Sequence, residues 1–367
     1  MSEIVSSVQP GARRPPWLRW ALALLVVALV LSMVGAVYFW RQNGFQWATF
    51  LNTFRGLDPF WIAVAGLTAL STYLGRALRW RILIRSQKPN ASIWRLFVAT
   101  SIGFTAIVLF GRPGEMVRPY LIAVKERLSF SSQVAAWFLE RIYDLLMALL
   151  IFGIALSQVH NSRVQVGPSM QWVLSVGGNV VTVLTLICLA VLIMLRLFTD
   201  VAERRLLAAL AFLPERYRAK ANNLVVSFTH GIGSTKCPTS IAQVVLLSIL
   251  EWVLIILCYA CVFHASPEMR TFGVRDVLIF VGFASFGNVI QIPGIGGGAQ
   301  IVSVVVLTEM FGLSLEIASG IAVVLWAITF VVIVPFGLLL SFHEGLNWKK
   351  LRHLEEQLDA LPNEPAA

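Results

Sequence analysis

Charge is scarce in this chain. Only 13% of its 367 residues are Asp, Glu, Lys or Arg, against 57% hydrophobic, which excludes a soluble domain of ordinary composition. Cysteine is far sparser still, at four. Cys258-x-x-Cys261 has metal-motif spacing, but no second pair or neighbouring His cluster completes a four-ligand set, so these read as small packing residues. No GxxxxGK[ST] phosphate loop occurs, so no nucleotide-driven step is implied, and no metal, cofactor or catalytic group is assigned.

Long apolar runs take the place of charge. They lie near 20–40, 60–84, 131–157, 171–195, 240–264 and 315–341, each long enough to cross a bilayer as a helix. The fold class is therefore all-α: a polytopic membrane protein with about six full spans. The net charge of +10 does not imply nucleic acid, because the basic residues follow the positive-inside rule. With the N-terminus in the cytoplasm, cytoplasmic segments hold 21 Lys and Arg and outer loops hold 5. This predicts an inner-membrane protein with both termini cytoplasmic. The first run follows Arg13 and Arg14 but ends in Tyr38-Phe39-Trp40 without a small-x-small cleavage site, so it reads as a retained span. The expected layout is an N-terminal segment 1–19, one integral membrane domain 20–341 and a cytoplasmic tail 342–367, rich in Glu and Pro after Leu354 and read there as disordered. The cytoplasmic connection 196–238 carries an amphipathic stretch suited either to an anionic leaflet or to packing against loops.

Two further apolar stretches are interrupted. Residues 96–124 number 29, whereas two crossings need roughly 40. Their middle reads Gly111-Arg112-Pro113-Gly114-Glu115-Met116-Val117-Arg118, and charged, irregular backbone survives at membrane depth only where protein or a water-filled cavity covers it. A re-entrant hairpin is expected. A second is expected at 276–312, with the tip Gln291-Ile292-Pro293-Gly294-Ile295-Gly296 running on to Gln300. These hairpins divide the domain into halves, 20–157 and 171–341, whose successive crossings run in opposite directions. That is the arrangement of inverted-repeat transporters, which bind their cargo near the midplane.

Several charges lie within the spans. Residues 131–157 contain Glu140, Arg141 and Asp144, with Arg141 and Asp144 at i, i+3 and Glu140 and Asp144 at i, i+4. One Arg cannot neutralise two carboxylates, so another cation is required, and Arg112 or Arg118 is nearest in sequence order. Glu251, midway along 240–264, needs a partner or a proton. Such a network either fixes helix packing or receives a charged headgroup. Arg grips phosphate through its planar fork of donors, which favours the second use for Arg112, Glu115 and Arg118. At the cytoplasmic end of 60–84, Arg76-Ala77-Leu78-Arg79-Trp80-Arg81 reads as a snorkelling interfacial anchor, with Arg76, Arg79 and Trp80 touching lipid.

These elements resemble the lysylphosphatidylglycerol synthase transmembrane-region family of flippase-like membrane proteins. Arg112 to Arg118 is similar to the family's Arg-x-Gly-Glu-x-x-x-Arg-like element, here with the second Arg three residues after the Glu. Glu140-Arg141-Ile142-Tyr143-Asp144 is similar to its Glu-Arg-x-x-Asp element. Pro293 to Gly298 resembles a late Pro-Gly-Gly-rich element, and Arg76 to Arg81 a basic-Trp anchor. Where the family commonly carries a Glu after the Pro-Gly, this chain has Gln300, which argues against a proton role there. The resemblance implies a lipid-translocating or lipid-binding module without an aminoacyltransferase domain. The cargo classes it brings are phospholipids, lipid-linked sugars and hopanoid-type lipids.

The function expected is lipid transport. The headgroup contacts would be Arg112, Gly114, Glu115, Arg118, Glu140, Arg141, Asp144 and Glu251, with Gln291, Pro293, Gly294 and Gly296 of the second tip. Partners would be membrane lipids and, on a rival reading, the lipid-synthesis enzymes that a non-transporting scaffold would hold. A membrane-embedded lipid-modifying enzyme is the other rival. It is weakened because the first outer loop, 41–58, holds the single acid Asp58, not an acidic pair.

Overall fold

The computed structural model describes residues 44–160, 176–194, 222, 226–227, 237–287, 291–292 and 296–344. The predicted first span, the connection 196–238 up to residue 236 apart from three residues, and the tail beyond residue 344 lie outside the described residues.

Local chemistry sets the helix ends. Helix α1 (Trp47–Arg55) gives way at Gly56 to Asp58, whose carboxylate accepts the Phe60 N–H at 3.0 Å while Pro59 occupies the first position of α2 (Pro59–Leu83). The two helices meet at 78°. Ser92 caps α3 (Ile93–Phe110), which ends at Gly111 with φ of 70°, a left-handed position that glycine adopts without cost. A 3-10 turn (Arg112–Met116) then leads into α4 (Val117–Glu126). Helix α5 (Phe130–His160), α6 (Val176–Met194) and α7 (Pro238–Ala265) follow. After α8 (Val274–Gly287), two-residue strands β1 (Gln291–Ile292) and β2 (Gly296–Gly297) pair antiparallel before α9 (Gly298–Glu309). Helix α10 (Leu315–Trp326) continues through a π-helical turn, Ala327–Val331, into α11 (Ile333–His343). Apart from the tip strands, the described chain is all-α, as its hydropathy predicts.

Helices α3, α5, α6, α7 and the joined α10–α11 are each long and apolar enough to cross a membrane, and α1–α2 is a bent pair that qualifies as a whole. Leu246, Leu250, Val253 and Leu257 of α7 and Val183, Leu186 and Ile193 of α6 face outward, as side chains bathed in hydrocarbon do.

Both interrupted stretches form hairpins. In the first, α4 runs back along α3, and its feet meet: Arg95 near the start of α3 lies 3.9 Å from Glu126 at the end of α4. In the second, α8 packs on α9, and Gln300 accepts the Gly297 N–H at 2.6 Å, so a neutral amide caps α9. The helix pairing is reciprocal. The first hairpin packs through α3 on α11, the second through α8 on α5, and α2 packs on α7.

Gly114 shows how tightly the first hairpin closes. A Cβ there would lie 2.4 Å from the Ala106 carbonyl oxygen, whereas one at Gly66 on α2 would meet nothing within 4 Å. Gly114→Ala should therefore lower stability by about 1–3 kcal/mol, and Gly66→Ala should be neutral or slightly stabilising. Thermal unfolding of the two variants in detergent checks this, and equal Tm values would refute the close packing.

Candidate functional site

Two large apolar cores and a small one, formed by Ile142, Leu149 and Cys188, occupy the described part of the bundle. One large core joins Ala65 and Ala69 of α2 to Phe152, Val262, Phe280 and Ile321; the other joins Trp80 and Leu83 to Leu96, Ile122, Leu139 and Val244. Between them, where α2, α4, α5 and α7 converge, lies a cluster of ionised side chains.

Arg79 is the hub. It is fully buried, with Nη2 donating to Glu140 Oε1 at 2.8 Å and Nη1 2.7 Å from Asp144 Oδ1, 3.3 Å from Glu251 Oε2 and 3.0 Å from the Ser248 hydroxyl. Arg76 reaches Glu251 at 2.7 Å and Asp144 at 3.9 Å. Arg118 donates to Glu140 Oε2 at 2.8 Å and to the Arg76 carbonyl at 3.2 Å. Arg141 lies 3.1 Å from Asp144 and 3.5 Å from Glu140. Aromatic faces complete the enclosure: the Arg118 guanidinium sits 4.1 Å above the Trp80 ring, and that of Arg76 sits 4.7 Å above Phe104.

Four guanidiniums thus share three carboxylates, a formal excess of one positive charge when all are ionised, and the neighbouring Arg112–Glu115 pair adds none. Nε of Arg79, Arg118 and Arg141 makes no hydrogen bond, so buried donors remain for an acceptor. Beside Arg76 opens a cavity of about 120 Å³, lined also by Thr72, Tyr73, Phe104, Tyr259 and Thr329. The Tyr73 hydroxyl donates to the Thr329 carbonyl at 3.1 Å, in the π turn where the normal helical pairing is interrupted.

The structure brings Arg118, Glu140, Arg141, Asp144 and Glu251 together, and the cations beyond Arg141 are Arg118, as the sequence allows, with Arg76 and Arg79, which it did not propose for this role. Arg112 pairs with Glu115 at 2.6 Å, and its side chain is half exposed at the hairpin tip. Two expectations need correction. Arg79 and Trp80 are fully buried and Arg76 nearly so, so none is an interfacial anchor; Trp80 donates to Gln133 at 3.0 Å. Helical phase explains the inversion: Thr72, Tyr73, Arg76, Arg79, Trp80 and Leu83 share the inward face of α2. Gly114 lies against the α3 backbone and serves hairpin closure, not headgroup contact. Gln291 and Gly296 stand in the β1–β2 pairing, while Pro293 and Gly294 lie outside the described residues.

Apolar spans enclosing a network of ionised side chains define a multi-pass α-helical membrane protein with a polar interior. The chain belongs to the lysylphosphatidylglycerol synthase TM region family, which it matches over residues 20–337. That membership links it to lipid metabolism. No curated protein and no solved structure matches it.

Removing one member of a buried ion network leaves its partners charged and desolvated. Glu140→Ala should cost about 3–5 kcal/mol. In a cycle with Arg118→Leu, the double variant should lose less than the sum of the two single losses. Unfolding in detergent micelles measures this, and strict additivity would contradict the pairing.

Proposed function

We propose that this protein moves an anionic amphiphilic lipid between the leaflets of the inner membrane. The observation that carries the reading is the interior excess of one guanidinium, with three unused Nε–H donors, at the junction of α2, α4, α5 and α7. A buried excess cation calls for an anion, and guanidinium forks favour phosphate or carboxylate. The headgroup would enter beside Arg76 through the cavity bordered by Tyr73 and Thr329, with its chains remaining in the bilayer. The protein acts as a carrier, not an enzyme, and its partners are the lipids themselves. The reciprocal packing of the two hairpins supports an inverted repeat, in which either half can open the same site to its own side of the membrane.

Leaflet exchange of a labelled anionic phospholipid in vesicles tests the proposal. Protein-containing vesicles should exchange well above protein-free ones. Arg118→Gln should slow exchange about tenfold or more, Arg118→Lys should fall between, and Arg112→Ala should be milder. Equal exchange with and without protein would overturn the reading, as would an Arg118→Gln variant that folds and exchanges normally.

The proposed orientation, with both termini cytoplasmic, places Cys237 at the cytoplasmic start of α7. Its thiol is exposed, 3.0 Å from the Thr239 hydroxyl. That hydroxyl and the Ser240 and Thr239 N–H groups favour the thiolate and lower its pKa to about 7. Cys188, Cys258 and Cys261 are buried. Alkylation by an impermeant maleimide should therefore fall on Cys237, only from the cytoplasmic side, and quicken as pH rises through about 7. Labelling from the outer side would reverse the orientation.

A further inference from the structure

The basic run at the end of α2 divides between two sides. Arg76 and Arg79 turn inward, whereas Arg81 on the last turn of α2 and Arg85, in the turn just past its end, lie on another side. There they border a groove of about 610 Å³ between the C-terminal end of α2 and the N-terminal part of α7. Unlike Arg76, Arg79, Arg112, Arg118 and Arg141, neither makes an ion pair among the described residues. Asn90 and Gln243 add hydrogen-bonding groups to the same rim, while Leu78 and Leu246 line the walls. Leu246 is 65% exposed, a leucine facing the surroundings next to two cations.

The level of this groove is fixed by its neighbours. Gln243 lies five residues into α7 from Pro238, about 8 Å along the axis. Trp94, at the start of α3, is 62% exposed and stacks on Phe97 at this same end of the bundle. Exposed Trp beside basic residues marks the headgroup layer. A groove with two cations at its rim and aliphatic walls running toward the hydrocarbon matches one kind of molecule along its whole length.

We infer that this groove holds one anionic glycerophospholipid of the proposed cytoplasmic leaflet, with its phosphate between Arg81 and Arg85 and an acyl chain along Leu78 and Leu246. The site is separate from the interior cluster and does not depend on transport. It sits on the outer side of the α2–α7 contact, the same pair of helices that supplies Arg76, Arg79 and Glu251. Lipid composition would thereby act on the spacing of the helices that carry the central charges.

Native mass spectrometry of the purified full chain tests the inference, titrating phosphatidylglycerol and phosphatidylcholine of matched chains. The wild type should retain phosphatidylglycerol preferentially. Arg81→Gln with Arg85→Gln should weaken that retention on the order of thirtyfold, the weight of two basic side chains at an anionic surface, and leave phosphatidylcholine nearly unchanged. Leu246→Trp, which fills the groove and keeps both cations, should also reduce it, and this variant decides the matter if the double variant does not fold. Chain-free glycerol phosphate should not compete. Unchanged retention in the folded variants would overturn the assignment, and displacement by glycerol phosphate would convert the groove to a site for soluble anions.

Discussion

Seven ionised side chains inside an apolar bundle constrain everything around them. A charge at the centre of a lone membrane helix costs about 2.5–3.5 kcal/mol on insertion scales, and α2, α5 and α7 each bring at least one such charge, with α4 bringing Arg118. None is well placed in lipid alone. Together the helices satisfy one another, because Arg79 reaches carboxylates on both α5 and α7 while Arg118 reaches the far oxygen of Glu140. The cluster therefore acts as a register mark. A shift of one residue along any of these helices would carry a charge out of reach and leave its partners desolvated.

The register also explains the close backbone contacts of the first hairpin. Arg118 can reach Glu140 only if α4 lies against α3, and a Cβ at Gly103 would be 2.5 Å from that of Arg118. Gly103 and Gly114 allow the two arms to approach, and the approach sets the guanidinium in place. Small residues here serve electrostatics through geometry, while the apolar cores on either side exclude water and strengthen every pairing.

The path of the chain was legible because hydropathy reports length directly. The runs 60–84, 131–157, 240–264 and 315–341 correspond to helices with ends displaced by a few residues, the described part of 171–195 is helical, and the shortage of residues in 96–124 announced a hairpin. Within the site, Glu140, Asp144 and Glu251 were legible by their cost. Arg76 and Arg79 were misplaced because a basic cluster with a Trp near a helix end has the composition of an interfacial anchor. Composition does not distinguish the two faces of a helix; phase does. Read at 100° steps, Thr72, Tyr73, Arg76, Arg79 and Trp80 form one stripe, and Arg81 falls outside it. The contacts of Tyr73 with the π turn were not legible, since an extra residue in a helical turn leaves no mark in an apolar sequence such as Ala327-Ile328-Thr329-Phe330-Val331.

The imbalance of the cluster bears on what a carrier must do. A fully neutral network would satisfy itself and admit an anion only by breaking pairs. A network with several excess cations would hold an anion too firmly to release it. With four guanidiniums on three carboxylates, a single negative charge completes the set, and each carboxylate can compete for the same Arg donors as the anion leaves. In the proposed carrier, Arg76 would be the point of exchange: it borders the cavity, stacks on Phe104 and is tied chiefly to Glu251. Arg79, enclosed and bound to all three acids, would then hold the frame, and Arg76 and the π turn beside Tyr73 would be the part the proposed carrier moves.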